Sequence, residues 1–408
     1  MYAGELVWRE RDTHFEQIHD ALPVRSWIDT LGKLAALCAA EFVLLTVVMV
    51  CGILSQVIAG YYNFELLQYF KELYIVTFVP VITFALMAFF LQTICSNKFV
   101  AHGIAIGLFG IQPIMERTGF SDRLYIFDDS ILYVYSDMNG YGHFVKPLFW
   151  STFYWLAWGI FLGVVASLLA RRGAETGLRA RLRSAKASLP AYAIMLALPV
   201  LAAIASGSWY YYNTHVLNPF LTDQDVRKVQ ADYEKQYKKY ERAPIPKITA
   251  VDTAVNIYPE SRSFNATGTY TAVNEGSAPI QDVYVTNGRR SLKSIQFDRP
   301  ATTTLADTTN GFWIYHLATP LGPGGSIKIH FQCGYENPGF RNNNEQAEFA
   351  YNGTFFDRDY FPALGYDSNR EQNNPVRRRE AGLGPQEELP DRGDPYGMPA
   401  RWLHEPGH

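Results

Sequence analysis

Residues 34–59 read LAALCAAEFVLLTVVMVCGILSQVIA. A helix needs about 20 predominantly apolar residues to cross the hydrocarbon core of a bilayer, and this run, broken by one charged side chain, is long enough. It reads as a membrane span. The charge, Glu41, lies within two turns of the start. There it can reach water or Lys33, so it reads as a tolerated end charge more than as a buried functional carboxylate.

Four further apolar runs follow, near 73–96, 99–115, 148–170 and 189–212. The run at 99–115 is the shortest and carries Gly103, Gly107, Gly110 and Pro113; a re-entrant or interfacial segment is its alternative reading. Together these runs define a transmembrane domain over 34–212. Residues 170–188, ARRGAETGLRARLRSAKAS, hold Arg171, Arg172, Arg179, Arg181, Arg183 and Lys186 against the single acid Glu175. Loops of that kind stay on the cytoplasmic side. Lys98 falls on the same side. Five spans then leave residues 1–33 inside and the chain beyond Tyr212 outside. The loop from Glu116 to Lys146, mildly acidic, also lies outside. Tyr61, Tyr62 and SWYYYN at 208–213 place aromatic rings at span ends, as the interface favours.

The chain has 408 residues and a formal net charge of −3, a balance that gives no footprint for nucleic acid. Its composition changes near residue 212, from long uncharged runs to charges, Asn, Gly, Pro and alternating patterns. Of four cysteines, Cys38, Cys51 and Cys95 sit in apolar runs and Cys333 stands alone in the polar half, which leaves that half no internal disulfide. Residues 1–33 are too polar for a secretory signal. No GxxxxGK[ST] phosphate loop occurs.

Residues 4–29, GELVWRERDTHFEQIHDALPVRSWID, mix charges and apolar residues at helical spacing. Leu6, Val7, Phe15, Ile18 and Leu22 share one broad face, and Pro23 ends the pattern. An amphipathic surface helix is expected, and a plain membrane anchor satisfies that pattern. The motif GELVWRERD…IHDALPV, followed by a lysine and an apolar span, resembles the cytoplasmic coupling segment of ABC-2-type permeases. In that family a short helix between two spans meets the ATPase subunit. The resemblance implies an ABC-type ATPase partner, a homodimer or paired permease half, and Arg9, Glu10, Arg11 and Asp12 as contacts on the ATPase. Family units usually carry six spans with this segment after the second. Here Met1 almost abuts it and five spans follow, so the chain looks like a piece of a longer protein or a divergent start.

Beyond the last span, TDQDVRKVQADYEKQYKKYERAP predicts a stalk helix over 222–243. Thr222 or Asp223 caps it, and Val226, Val229, Tyr233, Tyr237 and Tyr240 form its apolar stripe. Strand patterns follow over 247–370: KITAVDTAVNIYP, SFNATGTYTAVNEG, GSAPIQDVYVTN, GFWIYHLATPLGPGGSIKIHFQC and AEFAYNGTFF, separated by Gly, Pro and Asn. At least seven strands predict an all-β sandwich or saddle. The order DTAVNIYPESRSFNATGTYTAVN, LATPLGPGGSIKIHF, NGTFFDRDYFPALGYDSNRE resembles the N-terminal β-domain of M1-family zinc aminopeptidases, closest to the membrane-fused subset that follows an ABC-2-type permease. The combined resemblance runs from Gly4 to about Pro390.

The last five residues, His404-Glu405-Pro406-Gly407-His408, match HExxH. Two histidines four apart share a face only on a helix. Pro406 disfavours a helical Glu405, and Gly407 adds about 1 kcal/mol against helix. The resembled family places its zinc motif in a later domain, with a glutamate ligand some twenty residues on and a GxMEN loop before it, both missing here. His404, Glu405 and His408 are therefore rejected as zinc ligands, and no cofactor is assigned to this chain. Asn265 and Asn352 are sequons by pattern only. VRRRE at 376–380 reads as a solvated basic run within a poorly ordered tail over 371–408. His316 and His330 read as satisfied sheet residues.

The expectation is an α-helical membrane domain of about five spans, followed by an all-β extracytoplasmic domain, in a bacterial inner membrane. The resemblance implies a permease-like subunit of an ABC-2-type export system, handling peptides or another cargo, with no complete active site. The non-catalytic portion of a membrane-tethered zinc aminopeptidase and a membrane-anchored protein-binding module are the alternatives.

Overall fold

The computed structural model describes residues 2–19, 26–170, 177–289, 291–342, 348–349, 351, 354–355 and 357–386. The chain divides into two compact units. One comprises residues 1–222 and 337–353, the other 223–336 and 354–408.

The first unit is helical. Two short helices, α1 (Tyr2–Asp12) and α2 (Glu16–His19), precede α3 (Ser26–Ile58). The next helix starts as α4 (Leu66–Phe70), widens to π geometry over Lys71–Thr77 and continues as α5 (Phe78–Ile94). The wide turn sits where Pro80 has no N–H to return to the carbonyl four residues back. Then come α6 (Lys98–Arg117), α7 (Val145–Leu168) and α8 (Leu178–Tyr211). Five of these helical stretches are long and apolar enough to cross a membrane, and no more than 28 % of the apolar window of any is buried. Val43, Leu44, Ile106, Ile194 and Leu198 all face outward. The α5–α7 contact is made by small residues. A Cβ on Gly163 would stand 3.0 Å from Leu86 Cδ2, and one on Gly159 3.3 Å from Thr83 Cγ2, so α7 lies close against α5 through a small-xxx-small pair.

Two expectations for this unit are revised. The stretch 4–29, expected as one amphipathic helix, is already broken within its described residues 4–19. α1 stops at Asp12, His14 takes φ 57°, and Phe15 and Ile18 are exposed. Arg179, Arg181, Arg183 and Lys186 belong to α8 and not to a loop, because Leu, Ala, Arg and Lys are all strong helix formers.

The helical unit also recruits chain from far along the sequence. Phe340, 2 % exposed, packs with Ile131, Phe144 and Tyr210. The Asn218 amide donates to Asn213 O, Pro338 O and Phe340 O at 2.9, 2.8 and 3.2 Å. Asn342 donates to Ser121 O and accepts from Tyr210 Oη, each at 3.2 Å.

The second unit holds two four-stranded antiparallel sheets. The first has the order β1 (Lys247–Tyr258), β2 (Ser263–Val273), β7 (Ser326–Tyr335), β4 (Leu292–Phe297). The second has β5 (Ala301–Asp307), β6 (Phe312–Leu321), β3 (Ile280–Thr286), β8 (Ala363–Leu364). Strict alternation along β7 buries Ile327, Ile329, Phe331, Cys333 and Tyr335, the period-2 pattern of a half-buried strand. Phe297 of the first sheet meets Tyr315 of the second at 5.1 Å between ring centroids. β6 begins with four consecutive buried residues, because its other face is covered too. Tyr237 of α9 (Asp223–Tyr237) stacks on Phe312 at 4.2 Å, and Tyr233 joins the same cluster with Ile314.

The Tyr233/Tyr237 stripe of the predicted stalk thus belongs to the core of this unit, so the unit is not all-β. The strand expected at 347–356 is not seen: residues 348, 349, 351, 354 and 355 lie outside any strand. Nor is the start of the expected loose tail irregular. Residues 375–380 form α10 (Pro375–Glu380), capped by Asn374 Oδ1, which accepts from Val376 N and Arg377 N at 3.0 and 3.2 Å. Arg378 is buried. It makes a bidentate pair with Glu234 of α9 at 2.9 and 2.6 Å and donates to Gln372 O and Gly384 O. Lys238 Nζ joins Glu371 at 3.0 Å, and Glu371 also accepts from Tyr366 Oη. His316 Nδ1, in β6, donates to Asp282 Oδ1 of β3 at 2.7 Å, a satisfied cross-strand pair.

Two outcomes follow for this unit. Removing one partner of a buried ion pair costs about 3–5 kcal/mol, so Arg378→Ala should speed amide exchange in α9 and α10 while leaving α7 unchanged. Burial pushes the Cys333 thiol from its ordinary 9.0, and the Tyr270 and Tyr315 phenols from 10.0, up to about 12. Folded values above unfolded ones mean that this stability is complete below about pH 9 and lost as pH rises towards about 12. The tyrosinate absorbance lost in a Tyr270→Phe, Tyr315→Phe variant should therefore appear in the parent chain only together with loss of sheet signal; ionisation of these two phenols near 10 in a still-folded protein would contradict their burial.

Candidate functional site

The α1 segment carries the four residues proposed as partner contacts, and its seat is built from the ends of α3, α5 and α6. Glycine at position 4 permits the close approach: a Cβ there would stand 2.6 Å from His102 Cε1 of α6. One turn on, Trp8 Nε1 donates to Gln92 Oε1 of α5 at 3.0 Å. Ala3 and Leu6 pack with Leu37 of α3 and Ala85 of α5. Helix α1 is thus wedged by small and apolar residues on one face, the burial that stabilises an otherwise marginal short helix.

Charges fix its other edges. Lys33 Nζ lies 2.9 Å from both Glu10 Oε2 and Asp29 Oδ2. His19 of α2 stands 3.8 Å from Glu10 Oε2 and 3.5 Å from Asp29 Oδ1. Asp12 Oδ2 pairs with Lys98 Nζ at 2.8 Å, with Glu5 Oε1 3.8 Å away. Lys33 therefore serves Glu10 and Asp29, not Glu41, which instead lines a mostly apolar cavity with Tyr2, Leu37 and Phe84. Of the four residues singled out in sequence, Glu10 and Asp12 are held within the chain, Arg11 lines a small cavity of about 60 Å³ beside Glu10 and Lys33, and Arg9 is exposed.

The same end of the unit holds Arg181, 5 % exposed. Its guanidinium donates to Leu169 O, just past α7, at 2.8 Å, and to Thr93 O and Ile94 O of α5 at 2.8 and 3.4 Å. It thereby meets terminal carbonyls of two helices with one cation, where the helix dipoles favour positive charge. Thr93 and Gln92 also line the cavity under α1, so the α1 seat and the Arg181 clasp share the last turn of α5.

Glu10, His19 and Asp29 are, among the described residues, the one group whose ligand atoms lie within 4.8 Å of one another. Lys33 already places an ammonium between the two carboxylates, so the donor set forms an internal clasp and repels a second cation. His404, Glu405 and His408 lie outside the described residues. Of the residues that build the seat, Asp29 and Lys33 were legible as an i,i+4 pair. Gly4, Trp8, Gln92, Lys98 and His102 were not, since their meeting depends on helix packing.

Gly4→Val should overpack the α1–α6 contact at a cost of about 1–3 kcal/mol. Arg181→Met should leave carbonyls of α5 and α7 unmet, costing about 1–3 kcal/mol. Faster amide exchange in α1 for the first, and at the ends of α5 and α7 for the second, is expected; unchanged exchange in either would remove that contact from the account. The chain matches no known family and no curated protein.

Proposed function

We propose that the chain is a membrane-integral, permease-like subunit of an ABC-2-type export system, driven by a separate ATPase that engages α1 from the cytoplasm. The observation that carries this is the α1 seat. One short helix touches α3, α5 and α6 together through Gly4, Trp8, Leu6, Glu10 and Asp12, and it keeps Arg9 exposed. A partner that moves such a helix moves the ends of three long apolar helices. The outward-facing apolar side chains support a bilayer as the surroundings, since burying them in lipid removes the cost of exposing them to water. The basic residues near α8 support the orientation, with α1 inside and the second unit outside, periplasmic in a bacterial inner membrane. The resemblance of the second unit to an M1-type β-domain, part of a metallopeptidase family, supports a role beside peptides, without assigning catalysis to this chain.

One observation favours the binding-module reading. Strand β1, 12 residues long, pairs only with β2 among the described residues, and an open edge can accept a partner strand.

Arg9→Glu tests the export reading. Glu10 and Asp12 are unsuitable because reversing them breaks their pairs with Lys33 and Lys98. Arg9→Glu leaves the seat intact and should reduce co-purification of an ATPase, with amide exchange in α1 unchanged. Undiminished co-purification, or no ATPase with the parent chain, would sink the coupling role and leave a membrane-anchored binding protein.

A further inference from the structure

Helix α8 carries a row of cations and a row of apolar side chains on one line. Arg179, Arg183 and Lys186 follow one another at spacings of four and three, and all are exposed. At about 3.6 residues per turn the same line continues through Pro190, Ile194, Ala197, Leu201 and Ile204. These are exposed too, Ile194 at 83 % and Leu201 at 63 %. The opposite line is the packed one, where Arg181, Ala185, Pro199, Ala203, Ser206 and Tyr210 are buried. Trp209 and Tyr211 are exposed at the far end of the helix. Lys186 lies roughly 35 Å before Trp209 at about 1.5 Å per residue, close to the hydrocarbon thickness of about 30 Å. Lys186 thus falls at one interface when the aromatic rings sit at the other. None of the three cationic side chains has a hydrogen-bond or ion-pair partner among the described residues. Arg181, on the packed line, spends its donors on carbonyls. Arg179 also stands in the first turn of α8, where the helix dipole disfavours a cation.

We propose that this line of α8 binds an anionic phospholipid, its phosphate held by Arg179, Arg183 and Lys186 and its acyl chains lying along Ile194, Leu201 and Ile204. A lipid has the same two parts in the same order. Side chains one turn apart start about 5–6 Å from each other, so two guanidiniums can flank one phosphate, each through paired N–H groups. Lys186 starts a turn deeper, and a lysine stem is long enough to keep its ammonium among the headgroups from that depth. An anionic lipid fits better than a zwitterionic one, because the choline or ethanolamine cation of the latter adds to a local charge that is already positive. A free phosphate ion, or an acidic soluble partner, leaves the apolar continuation of the line without a role. The proposal rests on the placement of the helical unit in a bilayer given above and is independent of the ATPase.

The test is native mass spectrometry of the full-length chain in a neutral detergent, titrated with phosphatidylglycerol and, separately, with phosphatidylcholine. Phosphatidylglycerol should bind the tighter of the two. Arg179→Gln, Arg183→Gln and Lys186→Gln together should weaken it about tenfold or more, since each cation near an anionic surface is worth roughly fivefold. Phosphatidylcholine binding should not change. Arg179→Lys with Arg183→Lys, which keeps the charge and gives up the paired donors, should hold phosphatidylglycerol more tightly than the triple Gln variant does. Amide exchange in α8 should be alike in all three proteins, because Gln, Lys and Arg are comparable helix formers. Equal affinity of the parent chain for the two lipids, unchanged phosphatidylglycerol affinity in the triple Gln variant, or full competition by inorganic phosphate would overturn the proposal and leave the bilayer reading standing. Failure of the parent chain to enter phosphatidylcholine nanodiscs would overturn both.

Discussion

One guanidinium holds together the end of the helical unit on which the proposed function rests. Arg181 sits where α5 and α7 terminate, and its donors meet carbonyls from both. Helix ends leave four carbonyls without partners, and among apolar helices few donors are at hand. Without Arg181, the Thr93 and Ile94 carbonyls at the end of α5 lose their guanidinium donor, and Gln92, which takes the Trp8 indole, lies in the same turn. The seat of α1 is in this sense downstream of a residue about 170 positions away in sequence.

The two halves of the protein solve burial by different means. In the helical unit, glycines on α7 let helices approach while apolar side chains face out. In the β-rich unit the apolar faces turn inward, and aromatic stacks between α9 and β6 seal the second sheet. The Glu234–Arg378 pair then fastens α9 to α10, and Lys238–Glu371 joins the residue just past α9 to the segment that leads into α10. Buried pairs of this kind add little net stability over apolar packing of equal volume; their contribution is to fix which helix meets which.

The chain passes between the units three times, at 222/223, 336/337 and 353/354. Phe340 and Asn342 therefore complete the core of a helical unit whose other members lie within the first 222 residues. A cut near residue 222 would remove Phe340 from beside Tyr210 and leave Asn218 without two of its three carbonyl partners.

Sequence alone determined the helix-then-strand order, the number of long apolar helices and most strand positions, because these follow from the length and period of apolar runs. It determined the paired state of His316 only loosely, and it missed α10, although Asn374 followed by Pro375 is a helix start. Tertiary structure decided the rest. It broke the N-terminal helical pattern at His14, since docking α1 satisfies Leu6 and Trp8 and leaves Phe15 exposed. It turned a predicted stalk into sheet cover and part of a predicted loose tail into a buried clasp, since Arg378 is tolerated in the interior only where Glu234 meets it. It also drew Glu10 and Asp12 inward to Lys33 and Lys98 and left Arg9 outside. Charge clusters read alike in sequence whether they face a partner or their own fold; which of them face out is fixed by long-range packing, and that carries no local signal.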